Sequence, residues 1–345
     1  MARYMLLPSY VGAKAAYVSK ISALFDKQCT EYVEPCAGSG ALFFSLWNAR
    51  YAKYTLGEVN ENLLYLYKAL ISDGMRDETI RRICQLEKPD DEEIAKEQFN
   101  EAKAKLLMDK LIDPTDEQII QAAVNTYLVY SQSFNCGAKT YSSLKSNAKY
   151  MAEVRYSINL AAEKLRVVQP YFEYRDVKEL VEKNDDPKVQ MFIDPPYVGM
   201  YRDSAHLYQR EMSELIQHIS LAEKLNTTNA AVVLCGYRST NPEIPTVYDA
   251  LLGDQWHCFK LADTFKKCKV VKVGEPKPKA EEYVWTNRVP EGAATYISMV
   301  DYKEKINIHE YWQKIRIACK NGLVGKKHKE KYINTYKCMY SSDLL

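Results

Sequence analysis

The sequence predicts an α/β fold: a doubly wound, mostly parallel sheet with a helical segment inserted into it. Three observations predict it. Residues 32–70 alternate short apolar runs with stretches of helical periodicity. Short apolar runs return at 189–193 and 230–235. Between these regions, residues 76–166 read as helical and charge-laced, with no strand pattern.

In chain order, Tyr32-Val33-Glu34 reads as a strand entering Pro35-Cys36-Ala37-Gly38-Ser39-Gly40. Ala41 to Trp47 follows at helical spacing, with Leu42, Phe43, Leu46 and Trp47 on one side. Tyr54 to Gly57 reads as a second strand ending at Glu58, and Asn62 to Leu70 as the helix after it. Pro89-Asp90 and Asp113-Pro114-Thr115 break the helical stretch. Asp91 to Leu111 carries strong helix formers with charges at i,i+4 spacing, and Gln118 to Tyr130 continues the pattern. Ser131 to Lys149, built from Ser, Asn, Gly, Lys and Tyr, reads as a loop. The apolar run Val189 to Ile193 leads directly into Asp194. A helix over Glu211 to Leu225, a strand over Ala230 to Cys235 and a late strand over Glu281 to Trp285 complete the pattern. A segment as long as 76–166 exceeds what a crossover needs, so it reads as an inserted domain.

Composition bounds the function classes. A 345-residue chain with 47% hydrophobic and 27% charged residues suits a globular protein. Nine cysteines, none in a C-x-x-C pair, argue for reduced thiols and a cytoplasmic home rather than a disulfide framework or zinc site. No apolar run approaches membrane-spanning length, and residues 1–8 show no signal-peptide core. The net charge of +2 announces no polyanion by itself. Its distribution says more. Lys260, Lys266, Lys267, Lys269, Lys272, Lys277 and Lys279 crowd one stretch, and Lys314, Arg316, Lys326, Lys327, Lys329 and Lys331 another. Each is either a solvated face or a phosphate footprint.

Two motifs carry chemistry. Asp194-Pro195-Pro196-Tyr197 stands at the C-terminal end of a strand, the edge where doubly wound sheets bind ligands. Average residue frequencies yield that string in about one chain in a thousand of this length. The string suits activation of an exocyclic amine, whose lone pair is delocalised into the ring. Asp194 can accept one N–H, the rigid prolines offer pre-aimed carbonyls, and Tyr197 offers a flat face for an extruded base. The second motif, Glu34 to Gly40, is a G-x-G turn that lets backbone approach a nucleotide-like ligand. A dinucleotide fingerprint wants a third glycine where Phe43 stands, so an adenosyl ligand fits better than NAD. Glu58, closing the second strand, can accept ribose hydroxyls.

These residues together resemble the Dam-like, alpha-group DNA adenine N6-methyltransferases, in which the cofactor motif precedes the recognition domain and the catalytic motif follows it. Tyr10-Val11-Gly12-Ala13-Lys14 resembles that family's W-x-G-G-K element, and Glu34 to Gly40 its E-P-F-x-G-x-G loop with Cys36 for Phe. Gly57-Glu58-Val59-Asn60 is similar to its x-D-x-N element and Arg175-Asp176-Val177 to its G-D-F element. Asp194 to Tyr197 is a complete match. Tyr127 to Asn135 resembles its Y-L-x-x-x-x-F-N stretch, Leu234 to Tyr237 its strand ending in S-G-Y, and Glu282 to Asn287 its E-x-x-W-x-N strand. The resemblance covers roughly residues 5–290, and the tail from Asp301 has no counterpart.

The resemblance implies a Rossmann-like class I methyltransferase. Residues 1–75 and 167–300 would form the S-adenosylmethionine-binding catalytic domain, 76–166 an inserted helical target-recognition domain, and 301–345 a basic C-terminal extension. It implies that Gly38 and Gly40, with Glu34 and Cys36 in the same loop, admit S-adenosylmethionine. Glu58 would hold its ribose and Asp176 its adenine, while Tyr10 and Lys14 line its methionine end or the target pocket. Asp194, Pro195, Pro196 and Tyr197 would hold the target base. Implied partners are double-stranded DNA and a companion restriction endonuclease, with no metal. N4-cytosine or RNA adenine methylation would pose the same chemical problem. Cytosine enzymes of this type more often carry Ser at the position of Asp194, and no RNA-binding module is recognisable. An NAD-dependent dehydrogenase is disfavoured by the missing glycine, and a DNA-binding protein without catalysis by the intact Asp194–Tyr197 string. Sequence reading is expected from the 131–149 loop, through Gln132, Asn135, Lys139, Lys145 and Asn147, whose side-chain types pair with base edges.

Overall fold

The computed structural model describes residues 10, 12–46, 50–106, 111–134, 137–143, 147–201, 211–265, 279–300 and 305–340. Among these the strands are β1 (Glu31–Glu34), β2 (Lys53–Gly57), β3 (Tyr171–Glu173), β4 (Val189–Ile193), β5 (Ala231–Tyr237), β6 (His257–Phe265), β7 (Lys279–Thr286) and β8 (Ser298–Val300). They form one sheet in the order β3-β2-β1-β4-β5-β7-β6-β8. The first five pair in parallel, whereas β7 runs antiparallel to both neighbours and β8 antiparallel to β6. The predicted doubly wound, mostly parallel α/β sheet is therefore what the chain forms. After β1 the chain moves outward to β2 and β3, then returns to place β4 on the opposite side of β1. The C-terminal ends of β1 and β4 thus flank the switch point, where a crevice must open.

Helices cover both faces. On one lie α1 (Val18–Ser22), α2 (Ala41–Ser45), α3 (Glu61–Ile71), α4 (Arg76–Cys84), α5 (Glu92–Ala104), α6 (Asp116–Gln132) and α7 (Asn147–Val168). On the other lie α8 (Val177–Lys183), α9 (Leu215–Asn226), α10 (Val247–Leu251), α11 (Ile308–Lys320) and α12 (Lys326–Met339). Strand alternation sorts the two cores. Tyr32, Phe192, Val233 and Val284 join the first, and Val33, Ile193, Leu234 and Trp285 the second. The central β4 is buried along its whole length. Its one polar side chain, Gln190, donates to the Met191 and Ala231 carbonyls and accepts from the Asp26 N–H, so no polar atom is stranded.

The first core runs without a break from the sheet into the insert, through Leu66 and Leu70 of α3 to Phe99, Ile120, Tyr127, Ile158 and Leu165. Helix α6 is the insert's axis. Thr115 and Gln118 cap it with a reciprocal capping box, and nearly every residue from Ile119 to Gln132 is buried. It packs on α3, α4 and α5.

Several elements differ from expectation. The 131–149 segment is not one loop: α6 runs through Gln132, and α7 begins at Asn147. The helix expected from Glu211 starts at Leu215, where Glu214 and Gln217 form the capping box. Strand β7 extends beyond both expected ends, and β6 and the short edge strands β3 and β8 carry no legible pattern. The tail is more than a basic extension. Tyr311, Trp312, Ile315, Ala318 and Cys319 recur at helical spacing and are buried with Tyr332 and Tyr336 against the second face. Burying each large side chain contributes roughly 1.5–3 kcal/mol. No helix among the described residues is long and apolar enough to cross a membrane.

Candidate active site

The loop leaving β1 is shaped by two glycines in the left-handed region, Gly38 at φ +53° and Gly40 at φ +62°. A Cβ on Gly38 would stand 2.9 Å from the Tyr10 ring. A Cβ on Gly40 would stand 2.5 Å from the Tyr67 hydroxyl and 2.8 Å from Phe44, on the core side of the loop. The sequence led to the expectation that both glycines admit a ligand. Only Gly38 lines the cavity described below, and Gly40 is required by packing. Two bonds tie the loop to the end of β2, and a third ties it to α3. Ala37 N–H donates to the Gly57 carbonyl (2.9 Å), Gly38 N–H to Glu58 Oε2 (2.8 Å), and the Tyr67 hydroxyl to the Gly38 carbonyl (3.1 Å). Gly57 is equally constrained, since a Cβ there would meet Leu180 at 2.1 Å.

Glu34, expected beside the cofactor, is buried at the base of this loop. Its Oε2 accepts from the Tyr32 hydroxyl (2.8 Å) and from the Phe43 N–H at the start of α2 (3.2 Å). Burial pushes its carboxyl up to about 8, against the pull of those two donors. Cys36 lies in the same wall, its thiol pushed well up by burial and then by the Glu58 charge, so it stays protonated. Ser39 presents a buried hydroxyl that has no hydrogen-bond partner among the described residues.

Asp194 follows β4 directly, and both its carboxylate oxygens are held. Lys14 Nζ lies 2.9 Å from Oδ2, and the Tyr197 hydroxyl donates to Oδ1 at 3.1 Å. Lys14 is buried, donates also to the Gly12 carbonyl (2.7 Å) and lies 3.9 Å from Glu282 Oε2. Burial alone would lower its ammonium, but Asp194 and then Glu282 outweigh it and hold it well above the ordinary lysine value. Burial, and then the Asp194 charge, likewise holds the Tyr197 phenol protonated, as a donor. The Tyr197 ring packs edge-on against Tyr237, centroids 4.5 Å apart, at the end of β5. Pro195 is buried and Pro196 half-buried, facing the cavity.

Between these parts lies a cavity of ≈ 270 Å³. Its walls are the Pro35–Ser39 loop, Glu58 to Asn60, Asp176 to Lys178, and Lys14, Phe192, Asp194 and Pro196. Glu58 Oε1 accepts from the Val59 and Asn60 N–H groups (both 2.9 Å), and with Gly38 on Oε2 this leaves lone-pair capacity toward the cavity. Burial raises its carboxyl against those three donors. Asp176 caps α8, its Oδ1 accepting from Lys178 and Glu179, with Oδ2 uncommitted. A hydroxyl without a partner, a carboxylate with spare capacity and an open carboxylate oxygen together fit a hydroxyl- and amine-bearing ligand. Among the described residues no cluster of three or more metal-ligating side chains occurs.

The insert touches this site at the end of α6. The Tyr130 hydroxyl accepts from Asn60 Nδ2 (2.8 Å), and the Tyr10 ring lies 5.5 Å from that of Tyr130. Beyond α6 the chain forms a short hairpin, with Ser133 bridging Tyr141 and Phe134 N–H donating to the Thr140 carbonyl (2.7 Å). Lys88 donates to the Ser143 carbonyl, and Lys103 to that of Lys139. Of the expected reading residues, Lys139 is exposed on this hairpin. Gln132 is not on the rim: its side chain is buried within α6, with Nε2 unpaired, because the helix outlasts the expected boundary. Asn135 and Lys145 lie outside the described residues, as does the Asn147 side chain, whose backbone opens α7.

Part of the basic stretches is matched by acids. Lys260 pairs with Asp263 (2.8 Å) and Glu281 (2.5 Å), while Lys266, Lys267, Lys269, Lys272 and Lys277 and the Lys279 side chain lie outside the described residues. In the tail, Lys331 pairs with Glu214 (2.6 Å), Lys314 with Glu310 (3.5 Å), and Arg316 lies over the Tyr336 ring. Lys326 and Lys329 have no acidic partner among the described residues. His328 beside them comes within 3.4 Å of where a Gly199 Cβ would stand, so this end of α12 adjoins the chain just past Tyr197. Sequence reasoning passed over Glu282, Ser39 and Tyr237 as site residues, although each stood in a motif: Glu282 opens the E-x-x-W-x-N string, Tyr237 closes the S-G-Y-like strand and Ser39 lies inside the glycine loop.

Residues 10–257 match the family described as D12 class N6 adenine-specific DNA methyltransferase. No curated protein matches the chain.

Proposed function

The chain belongs to the D12 class N6 adenine-specific DNA methyltransferases, and from that premise we propose that the cavity between β1, β2 and β4 binds S-adenosylmethionine beside an adenine turned out of duplex DNA. The enzyme's product is N6-methyladenine in DNA. The observation that carries the proposal is Asp194, held between Lys14 and Tyr197 and facing the same cavity as Glu58 and Asp176.

S-adenosylmethionine supplies an electrophilic methyl group on a sulfonium. Glu58 is suited to its ribose hydroxyls, the free oxygen of Asp176 to its adenine amine, and the unpaired Ser39 hydroxyl to a further polar contact. Gly38 lets the Tyr10 ring pack directly on the loop, and Tyr10 and Lys14 line the same cavity. Asp194 accepts a hydrogen bond from the target amine and orients its nitrogen, aided by a carbonyl of the Pro195-Pro196 pair. Tyr197, braced edge-on by Tyr237, offers its ring to the base.

Target recognition is assigned to the helical insert, with the hairpin after α6 as its reading edge, because that hairpin springs from the helix end that contacts Asn60 and Tyr10. A restriction endonuclease as companion and a cytoplasmic home complete the reading. The test is transfer of tritiated methyl from S-adenosylmethionine to unmethylated duplex DNA. S-adenosylhomocysteine should raise the melting temperature and NAD should not. Asp194→Ala should lose about a hundredfold or more in turnover while still binding S-adenosylhomocysteine. Near wild-type turnover in that variant would overturn the assignment.

A further inference from the structure

Lys14 sits between two carboxylates, Asp194 at 2.9 Å and Glu282 at 3.9 Å, and side-chain exposure at the three positions is 3%, 18% and 12%. An ammonium between two acids is shared, and each acid competes for its N–H donors. Glu282 is the second of the two, beside the one carboxylate on which the chemistry depends.

That carboxylate has a conflict. To orient a weakly nucleophilic amine, Asp194 must accept from it strongly, yet its Oδ2 already accepts from an ammonium at hydrogen-bond distance. An ammonium bound there withdraws electron density and occupies a lone-pair direction. Lys14 cannot retreat into water, because its side chain is buried and its ammonium is tethered by the bond it donates to the Gly12 carbonyl. Glu282 provides the nearest alternative. Its oxygen lies about one ångström beyond hydrogen-bond reach of an ammonium that has already committed two of its three N–H donors, to Gly12 and Asp194. Its placement follows from strand register. Antiparallel β7 begins at the sheet's catalytic edge, and Glu282 pairs there with Tyr237, whose ring packs on Tyr197.

We propose that Glu282 is a positioning residue that takes over the Lys14 ammonium as the target amine engages Asp194, leaving Asp194 free to accept from the base. The exchange moves one N–H from one carboxylate to another and leaves the net charge of the cluster unchanged. It rests on the assignment of Asp194 to the target amine made above.

The test compares Glu282→Gln and Glu282→Asp with the wild-type enzyme in tritiated-methyl transfer to unmethylated duplex DNA, alongside melting temperature and S-adenosylhomocysteine binding. Glu282→Gln cannot hold the ammonium as an anion does. It should lose about ten- to a hundredfold in kcat while KM for DNA and S-adenosylhomocysteine binding stay within about threefold. Glu282→Asp keeps the charge and should recover most of that loss. A Glu282→Gln enzyme with wild-type kcat would overturn the proposal. So would equal losses in both variants accompanied by a lower melting temperature, the mark of a structural acid. A wild-type chain that transfers no methyl group would instead overturn the reading of the site, and this inference with it.

Discussion

Glu34→Gln should make the protein more stable in mild alkali while changing little in its structure. Glu34 is buried at 2% exposure and accepts from the Tyr32 hydroxyl and the Phe43 N–H. Burial lifts its carboxyl from the ordinary 4.5 to about 8 in the folded protein. Between those values the folded chain keeps a proton that the unfolded chain has released. The stability contributed by this group is therefore greatest below about 4.5 and declines as pH rises toward 8. At roughly 1.4 kcal/mol per pH unit the loss is bounded at about 5 kcal/mol, and between about pH 5 and pH 8 it amounts to roughly 3–4 kcal/mol. A glutamine keeps the accepting oxygen and replaces the carboxyl proton with an amide N–H, so it removes the titration without removing the bonds. Urea denaturation of both proteins across that range, at constant ionic strength, isolates the effect. The gap in unfolding free energy should shift toward the variant with rising pH. A gap that stays constant would show that Glu34 ionises freely and that its burial has been misjudged.

Three further variants test other parts of the fold. Gly40→Ala forces a side chain into the left-handed region and against Tyr67 and Phe44, and should cost about 2–4 kcal/mol by thermal or urea unfolding. Gly292→Ala, at φ +80° where an added Cβ meets no other described residue beyond its chain neighbours within 4 Å, should cost only about 1–2 kcal/mol, and equal losses at the two sites would refute the packing argument. Replacing Lys326 and Lys329 with Gln should weaken binding to all duplexes alike and flatten the salt dependence by up to about 0.9 for each phosphate no longer neutralised. An unchanged slope would return this end of α12 to an ordinary solvated surface.

The segments legible in the sequence are those whose geometry is set within a few residues. Glu34 to Gly40 reads as a ligand loop because a turn from strand to helix needs positive φ, and Asp194 to Tyr197 because consecutive prolines leave one backbone path. The alternation of strands and helices around them is equally local, which is why the α/β sheet and its doubly wound start could be read. Strands β3 and β8 escaped because three residues at a sheet edge carry no period, and β6 because its run is interrupted by Lys260, by Asp263 and by a bulge at Lys260/Ala262. Attention to the lysines of the tail hid the apolar spacing of Tyr311, Trp312 and Ile315.

The sequence by itself determined which residue types stand in the ligand loop and the catalytic string, since those depend on backbone dihedrals and side-chain chemistry. Tertiary structure alone decided who meets whom. Lys14 reaches Asp194 across 180 residues, Glu282 arrives on an antiparallel strand whose register with β5 no local pattern encodes, and Gly40 packs against Tyr67 from a distant helix and Phe44 from its own. The same holds for Gln132, whose polar side chain suggested a reader of DNA but which α6 carries into the interior. Each outcome depends on which distant element packs against the residue, and that is settled by the burial of both cores together.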